Sequence, residues 1–165
     1  MSGPAVVALV VLGLWGLSGC APAIPLVPDE VFAEIASADR ERNYDLAWQD
    51  IAALNGQVDR GELSEIPDQA LLVAARMERL ATGEPGRLDS AATSELLDRL
   101  QVTAGDSSVE DNWAQMDALG ERIRADFDAG HFAEARGAAL DIMVRAAVIE
   151  QSDHSGLVTN RLDPR

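Results

Sequence analysis

The sequence predicts an all-α protein, an up-and-down four-helix bundle in which a short connector helix joins two helical hairpins. Two observations predict this class. Beyond residue 28, apolar residues recur at steps of three and four, which places them along one face of a helix. Runs of alternating apolar and polar residues are missing, and aromatic residues make up only 4% of the chain, so strands are not expected. We therefore expect a core of small aliphatic side chains between closely packed helices.

The clearest element is a helical hairpin over residues 109–149. Each half carries an apolar stripe at helical spacing. The first stripe is Val109, Trp113, Met116, Leu119, Ile123 and Phe127, and the second is Phe132, Ala135, Ala139, Ile142, Ala146 and Ile149. Gly130 separates the halves, where glycine can end a helix in the left-handed conformation. Because the connection is so short, the two helices must run antiparallel and need further helices to cover their stripes.

The other hairpin is predicted over residues 44–82. An apolar pattern already begins after Pro28, so the chain up to this hairpin fits either one long helix or two helices joined near Asn43. Gly61 and Pro67 mark the turn of the hairpin, because glycine favours the end of one helix and proline suits the first turn of the next. This hairpin supplies the partner helices that the hairpin over 109–149 requires.

The connector between the hairpins is expected to contain one short helix. It opens with Gly83-Glu84-Pro85-Gly86, the clearest break in the body of the chain. Asp89 or Ser90 can then cap a helix that extends to about residue 102. Ser108 is placed to cap the helix that follows, at the head of the second hairpin. The connector therefore separates two hairpins with well-defined ends.

We expect the helical domain to cover residues 29–151 and a flexible tail to cover residues 152–165, where the apolar period is lost. No internal repeat that covers a full unit is evident. Two short segments resemble the turn of a tetratricopeptide hairpin, since an aromatic residue is followed three residues later by Ala. These segments are Asn43-Tyr44-Asp45-Leu46-Ala47 and His131-Phe132-Ala133-Glu134-Ala135. The resemblance implies an alternative architecture, a short tetratricopeptide-like helical array.

The charge of the chain excludes one class of partner. There are 28 acidic and 13 basic residues, which gives a net charge of −15, and every basic residue is Arg. Nucleic-acid binding needs a basic patch that contacts phosphates, so nucleic acid is not an expected partner. The charge favours solubility and cationic partners instead. The single cysteine, Cys20, excludes an internal disulfide.

The N-terminal segment carries the most specific motif. A nearly uninterrupted apolar run over residues 5–14 is followed by Leu17-Ser18-Gly19-Cys20. This arrangement resembles the signal peptide and lipobox of bacterial lipoproteins. The resemblance implies that residues 1–19 are removed as a signal peptide and that Cys20 is acylated and inserted in a membrane. Residues 20–28 then form a Pro-rich tether, which favours an extended conformation.

The residue after Cys20 bears on which membrane holds the anchor. Ala21 stands where an Asp favours retention in the inner membrane of enteric bacteria. The lipoprotein resemblance therefore implies a location in the cell envelope, facing the periplasm, at the outer membrane rather than the inner membrane. The apolar run is also shorter than the ~20 residues that a membrane-spanning helix needs.

The layout of the domain is also similar to that of the periplasmic four-helix cytochromes, cytochrome c prime and its b-type relatives. The similar features are a hairpin turn after Asn55-Gly56, Trp113 early in the third helix, and Asp128-Ala129-Gly130 before an Ala-rich last helix. The resemblance implies a haem between the helices. However, the Cys-x-x-Cys-His attachment motif is absent, and Met and His do not occupy the positions of an axial pair. We therefore expect no cofactor and a haem-less relative of these cytochromes.

No catalytic residue can be assigned from the sequence, because Gly-rich phosphate loops, nucleophile elbows and His-Glu-x-x-His motifs are all missing. With two His and one Cys, a metal site is not expected either. The candidate interaction or ligand residues are Trp48, Trp113 and His131. We expect the two tryptophans to pack across the bundle from one another, and His131 to lie in the turn after Gly130.

These observations predict a non-enzymatic lipoprotein. Its acidic helical domain, held at the membrane through Cys20, binds another periplasmic or envelope protein or supports an envelope structure. The alternative is a protein that binds a small ligand, haem or metal between its helices, as the cytochrome resemblance implies. An exposed apolar patch would favour the first function, and a polar residue aimed into the bundle axis would favour the second.

Overall fold

The computed structural model describes residues 27–85 and 88–160, with only the backbone of residues 154–160. Six helices make up this part of the chain, and no strand occurs in it. They are α1 (Asp29–Ser37), α2 (Arg40–Arg60), α3 (Ile66–Thr82), α4 (Ala91–Gly105), α5 (Val109–Asp128) and α6 (Phe132–Asn160). The predicted all-α class is confirmed.

The helix ends follow the local signals in the sequence. Ser90 and Ser108 cap α4 and α5, and the Ser108 hydroxyl accepts a hydrogen bond from the Asp111 backbone N–H at 3.0 Å. Gly61 and Gly130 follow α2 and α5 in the left-handed conformation, with φ angles of 68° and 76°. The turns that the glycines predicted therefore lie where they were expected.

Two boundaries differ from the prediction. The chain breaks between α1 and α2 at Ala38 and Asp39, before Asn43, because the Asp39 side chain accepts a hydrogen bond from the Arg42 N–H and starts a new helix. At the other end, α6 continues to Asn160, so the predicted tail from Ser152 begins inside a helix. Residues 161–165 lie outside the described residues.

The long helices pack with antiparallel neighbours. Arg40, at the start of α2, donates a hydrogen bond to the Leu80 carbonyl at the end of α3, at 3.0 Å. Arg136, near the start of α6, forms an ion pair with Glu78 near the end of α3. The Asn55 side chain donates to the Gly120 carbonyl, which ties α2 to α5 at 3.3 Å. The most extensive contacts join α3 to α6 and α5 to α6, while α1 packs on α3 and α4 on α6.

The core between these helices is aliphatic, as the composition predicted. Its largest fully buried side chains include Ile51, Leu54, Met77, Met116, Ile123, Phe127, Leu140 and Ile142. Met77 and Met116 have no solvent exposure, and their flexible side chains suit irregular gaps in such a core.

A buried polar network ties α1, α2 and α3 together. The Asn43 amide donates hydrogen bonds of 3.0 Å to the carbonyls of Ile35 and Ala38, which lie at the end of α1 and in the break after it. The Arg76 guanidinium on α3 donates to the Asn43 side-chain oxygen at 3.2 Å. Arg76 also pairs with Asp50 on α2, and its side chain is only 3% exposed. The network therefore joins three helices around one buried cation.

The asparagine–arginine part of this network occurs a second time, in α4, α5 and α6, with its carboxylate supplied by a different position. Asn112 donates to the Ala104 carbonyl at the end of α4 at 3.0 Å, and Arg145 on α6 donates to the Asn112 oxygen at 2.9 Å. Arg145 pairs in turn with Asp141 at 2.8 Å. In both networks the arginine follows its asparagine by 33 residues.

These matched networks reveal an internal repeat that the sequence analysis missed. The same number of residues separates Asn43 from Asn112 and Arg76 from Arg145. The capping residues Asp39 and Ser108 and the left-handed glycines Gly61 and Gly130 obey the same offset. The domain is therefore built from two three-helix units, α1–α3 and α4–α6.

We predict that Asn43→Ala destabilises the domain by about 3 kcal/mol, because it leaves buried carbonyls without donors and Arg76 without one acceptor. Urea unfolding followed by circular dichroism measures this loss. Gln115→Ala is the control, since it removes an exposed amide from α5 and should change stability by less than about 0.5 kcal/mol. Equal losses in the two variants would contradict the structural role of Asn43.

We also predict that mild acid stabilises the domain. Burial raises the pKa of Asp50 and of Asp141, and the guanidinium groups of Arg76 and Arg145 only partly oppose this effect. The folded state therefore binds these protons more tightly than the unfolded state, and stability rises as the pH falls through the folded pKa values towards the ordinary value of about 3.9. The melting temperature should therefore increase as the pH is lowered from neutrality towards the ordinary carboxyl pKa of about 3.9.

The predicted rise in melting temperature has two sources, the buried carboxylates and the repulsion among exposed charges. Thermal melts at low and at high salt separate them. High salt screens repulsion among exposed charges, which contributes because the net charge is −15. The contribution of the buried carboxylates remains in high salt. Asp50→Asn should reduce the dependence on pH that remains there, and a melting temperature independent of pH in high salt would contradict the prediction.

Candidate functional site

Four aromatic side chains meet at one end of the domain, where the start of α2, the end of α5 and the start of α6 come together. Tyr44 is stacked on Phe127 with ring centroids 4.4 Å apart, and Trp48 lies 6.1 Å from the same ring. Phe132 meets Phe127 edge-on at 5.8 Å. We call these four residues the aromatic cluster. It is a concentrated feature in a chain with so few aromatic residues.

Phe127 anchors the cluster, while two of its members face the solvent. Phe127 belongs to the apolar stripe of α5 and is 1% exposed, whereas Tyr44 and Trp48 are 41% and 39% exposed. Because Tyr44 and Trp48 are four residues apart on α2, they lie on the same face of that helix. Adjacent exposed aromatic rings held on a buried ring form a patch of the kind that marks interaction sites.

Two arginines lie over rings of the cluster. The Arg124 guanidinium is 4.8 Å from the centroid of the Trp48 ring, and the Arg40 guanidinium is 5.8 Å from that of Phe132. Cation–π contacts of this kind contribute about 0.5–1 kcal/mol at exposed sites. They show that cations can lie against this surface.

A shallow cleft lies beside the exposed rings. Its volume is about 470 Å³, it is open to solvent, and it is lined by Tyr44, Asp45, Trp48, Gln49 and Asp128. We call it the aromatic–acidic cleft. The Asp45 and Asp128 carboxylates have no hydrogen-bond or ion-pair partner within the part of the chain that the structure describes. The cleft thus combines two aromatic rings with two unpaired negative charges.

A second open depression, of about 380 Å³, lies across the turn that joins α5 to α6. Arg40, Gly130, His131 and Phe132 contribute to its lining. The His131 side chain is 63% exposed, and its Nδ1 atom is 3.9 Å from a carboxylate oxygen of Asp126. This candidate residue therefore lies near the aromatic cluster, in the turn where it was expected.

The three candidate residues do not form one site. Trp48 belongs to the aromatic cluster, but Trp113 lies near the opposite end of α5, about 21 Å along the helix from Phe127, and is half-buried against the core. The two tryptophans therefore do not pack against each other as predicted. Cys20 lies outside the described residues.

Sequence reasoning missed Tyr44, Phe127 and Phe132 as site residues. A local signal did exist for one of them, because Tyr44 and Trp48 are one helical turn apart with charged residues around them. Phe127 and Phe132 lie on apolar stripes, and nothing in the sequence indicates that these stripes end beneath Tyr44. Their role depends on how α2 packs beside α5 and α6.

Among the described residues, the buried asparagine and arginine side chains are occupied by partners within the chain. Asn43, Asn112, Arg76 and Arg145 are buried, but their side chains bond to one another, to neighbouring carboxylates and to backbone carbonyls. Within residues 27–85 and 88–160, no group of three or more His, Cys, Asp or Glu side chains could hold a metal ion. No helix in this part of the chain is sufficiently long and apolar to cross a membrane.

Comparisons with family models, curated proteins and solved structures find no match to this chain. The function must therefore be inferred from the arrangement of its own side chains.

We predict that the exposed rings of the aromatic cluster can be removed without unfolding the domain. Phe127→Ala should cost about 3–5 kcal/mol, since it empties a fully buried site. Trp48→Ala should cost only about 1 kcal/mol, because much of the ring is already in water. Urea unfolding measures both. A loss at Trp48 as large as that at Phe127 would make Trp48 a core residue and not a binding residue.

Proposed function

We propose that this chain is a non-enzymatic, membrane-anchored lipoprotein whose acidic helical domain binds another protein of the cell envelope through the aromatic cluster. The observation that carries the proposal is the pair of exposed rings, Tyr44 and Trp48, held in place over the buried Phe127. The lipobox Leu17-Ser18-Gly19-Cys20 supports the anchor, and Ala21 after it supports the periplasmic face of the outer membrane.

The chemistry of the cluster favours a protein partner. Tyr, Trp and Arg are enriched at the centres of protein interfaces, and Tyr and Trp offer a large contact area at little cost in side-chain freedom. Here the rings already pack on Phe127, and Arg124 covers part of Trp48, so their orientation is set before a partner arrives. A partner that covers Tyr44 and Trp48 would bury apolar surface that now faces water.

The helical frame supports the same role. We propose that α2, α3, α5 and α6 form a four-helix bundle that acts as a rigid support, with α1 and α4 packed on its outside. Two hydrogen bonds tie α2 to its neighbours: Asn43 near its start donates to the Ile35 carbonyl on α1, and Asn55 further along it donates to the Gly120 carbonyl on α5. The aromatic cluster therefore lies on regular helices, which position side chains more accurately than loops do.

A small-ligand binder is the second candidate function. The volume of the aromatic–acidic cleft, about 470 Å³, and its mixed aromatic and polar lining favour it. The shape of the cleft is unfavourable, because small-molecule sites enclose most of their ligand and this cleft is open. An open cleft suits a protein partner better than a small ligand.

Cell fractionation tests the anchor. We predict that the wild-type chain, produced in a Gram-negative host, is recovered in the outer-membrane fraction with the mass increase of an acylated cysteine. Cys20→Ser removes the thiol that would carry the lipid, so this variant should remain unacylated and leave that fraction. A wild-type protein that fractionates as Cys20→Ser does, without added mass, would contradict the lipoprotein proposal.

Site-specific crosslinking tests the interaction. A photo-reactive amino acid at position 48 should give a discrete adduct in intact cells, and Tyr44→Ala should weaken that adduct. The control carries the same group at position 102, because Val102 on α4 is 66% exposed and lies outside the aromatic cluster. Identical adducts at both positions, or none at position 48, would contradict binding through the cluster.

A further inference from the structure

We propose that the aromatic–acidic cleft binds a cationic side chain, Lys or Arg, on a basic segment of the partner protein. This inference rests on the proposed function and names the chemistry of the partner. The cleft is lined by the exposed rings Tyr44 and Trp48 together with Asp45 and Asp128. Aromatic faces attract cations, and carboxylates supply the opposite charge and accept hydrogen bonds.

The state of the two carboxylates supports a charged occupant. Asp50 and Asp141, elsewhere on these helices, are each paired with an arginine of the same chain. Asp45 and Asp128 have no such partner among the described residues, although they lie beside a surface where two arginines already contact rings. The cleft therefore presents negative charge that the chain itself leaves unpaired.

Arg124 provides an internal example of the contact. Its guanidinium lies 4.8 Å from the centroid of the Trp48 ring, within the distance at which a cation is attracted by an aromatic ring. The exposed part of Tyr44, whose ring stacks on Phe127, is open to a second cation from outside. A partner's Lys or Arg there would also reach the carboxylates that line the cleft.

The overall charge disfavours two other occupants. A second copy of this chain would bring another net charge of −15 against the first, so its arginines would approach the cleft against an overall repulsion. An anionic lipid surface would be repelled for the same reason. A basic segment is instead attracted at long range, which increases the rate of association and makes it sensitive to salt.

Titration of the full-length chain in detergent micelles tests the inference. The probes are tetra-arginine and tetra-lysine amides, with tetra-glutamate as the matched anionic peptide. The readouts are the indole N–H signals of Trp48 and Trp113 in nuclear magnetic resonance spectra, assigned with Trp48→Phe and Trp113→Phe. We expect the basic peptides to shift the signal of Trp48 and not that of Trp113. Equal shifts of both signals, or a response to tetra-glutamate, would overturn the inference.

Two variants of equal net charge distinguish peptide binding in the cleft from general attraction of the peptide by the charge of the protein. Asp45→Asn removes a carboxylate from the cleft, whereas Asp117→Asn removes an exposed one from α5 outside it. We expect Asp45→Asn to weaken binding of tetra-arginine by about two- to fivefold and Asp117→Asn to leave it nearly unchanged. Equal weakening by both would mean that only net charge attracts the peptide and would overturn the cleft as a site.

Failure of the cationic occupant can be distinguished from failure of the proposed function. Crosslinking at position 48 without any binding of the basic peptides would keep the interaction surface and reject its cationic occupant. Peptide binding at Trp48 in a protein that fractionates without an anchor would keep the cleft and reject the lipoprotein.

Discussion

The fold depends on two buried arginines that cannot be left unpaired. Arg76 and Arg145 are almost completely removed from solvent, and a buried cation without partners would cost several kcal/mol. Each is held by an asparagine and a carboxylate, and the same asparagine satisfies carbonyls at the end of the preceding helix. In each unit, these hydrogen bonds therefore fix the positions of three helices relative to one another. Aliphatic stripes alone allow helices to slide, whereas these hydrogen bonds fit only one arrangement.

The two units share this frame and differ in what they carry on it. The residue after each asparagine is aromatic, Tyr44 in one unit and Trp113 in the other. Tyr44 stacks on Phe127 and is exposed, while Trp113 is half-buried in the core. Trp48 corresponds by position to Asp117, so only the first unit has a second ring there. The aromatic cluster is thus a departure from the repeat, and such a departure indicates a specialised surface on a shared support.

Local signals predicted the helices well, because periodic stripes, capping residues such as Ser108 and a glycine such as Gly130 act within a few residues of the chain. The features that the sequence did not predict depend on contacts between residues that lie far apart in the chain. Asn43 marked a possible joint between helices, but its role depends on Arg76, 33 residues later. The repeat was missed because few equivalent positions hold identical residues, and the structure keeps geometry and polar bonding where the sequence has changed. The cluster combines residues from three helices, so no short segment of sequence could indicate it.

The position of α1 links the proposed anchor to the proposed site. Val27, two residues before the start of α1, is buried in the core, and Glu34 on α1 pairs with Arg76 at 2.9 Å. The same arginine holds Asn43, whose next residue in the chain is Tyr44. A chain anchored at Cys20 would therefore reach the domain through a Pro-rich tether of a few residues and then a fixed helix about 13 Å long. Because α1 and α2 are locked together, the cleft would keep a constant direction relative to the point where the tether enters, and only the tether itself would set how far a partner can lie from the membrane.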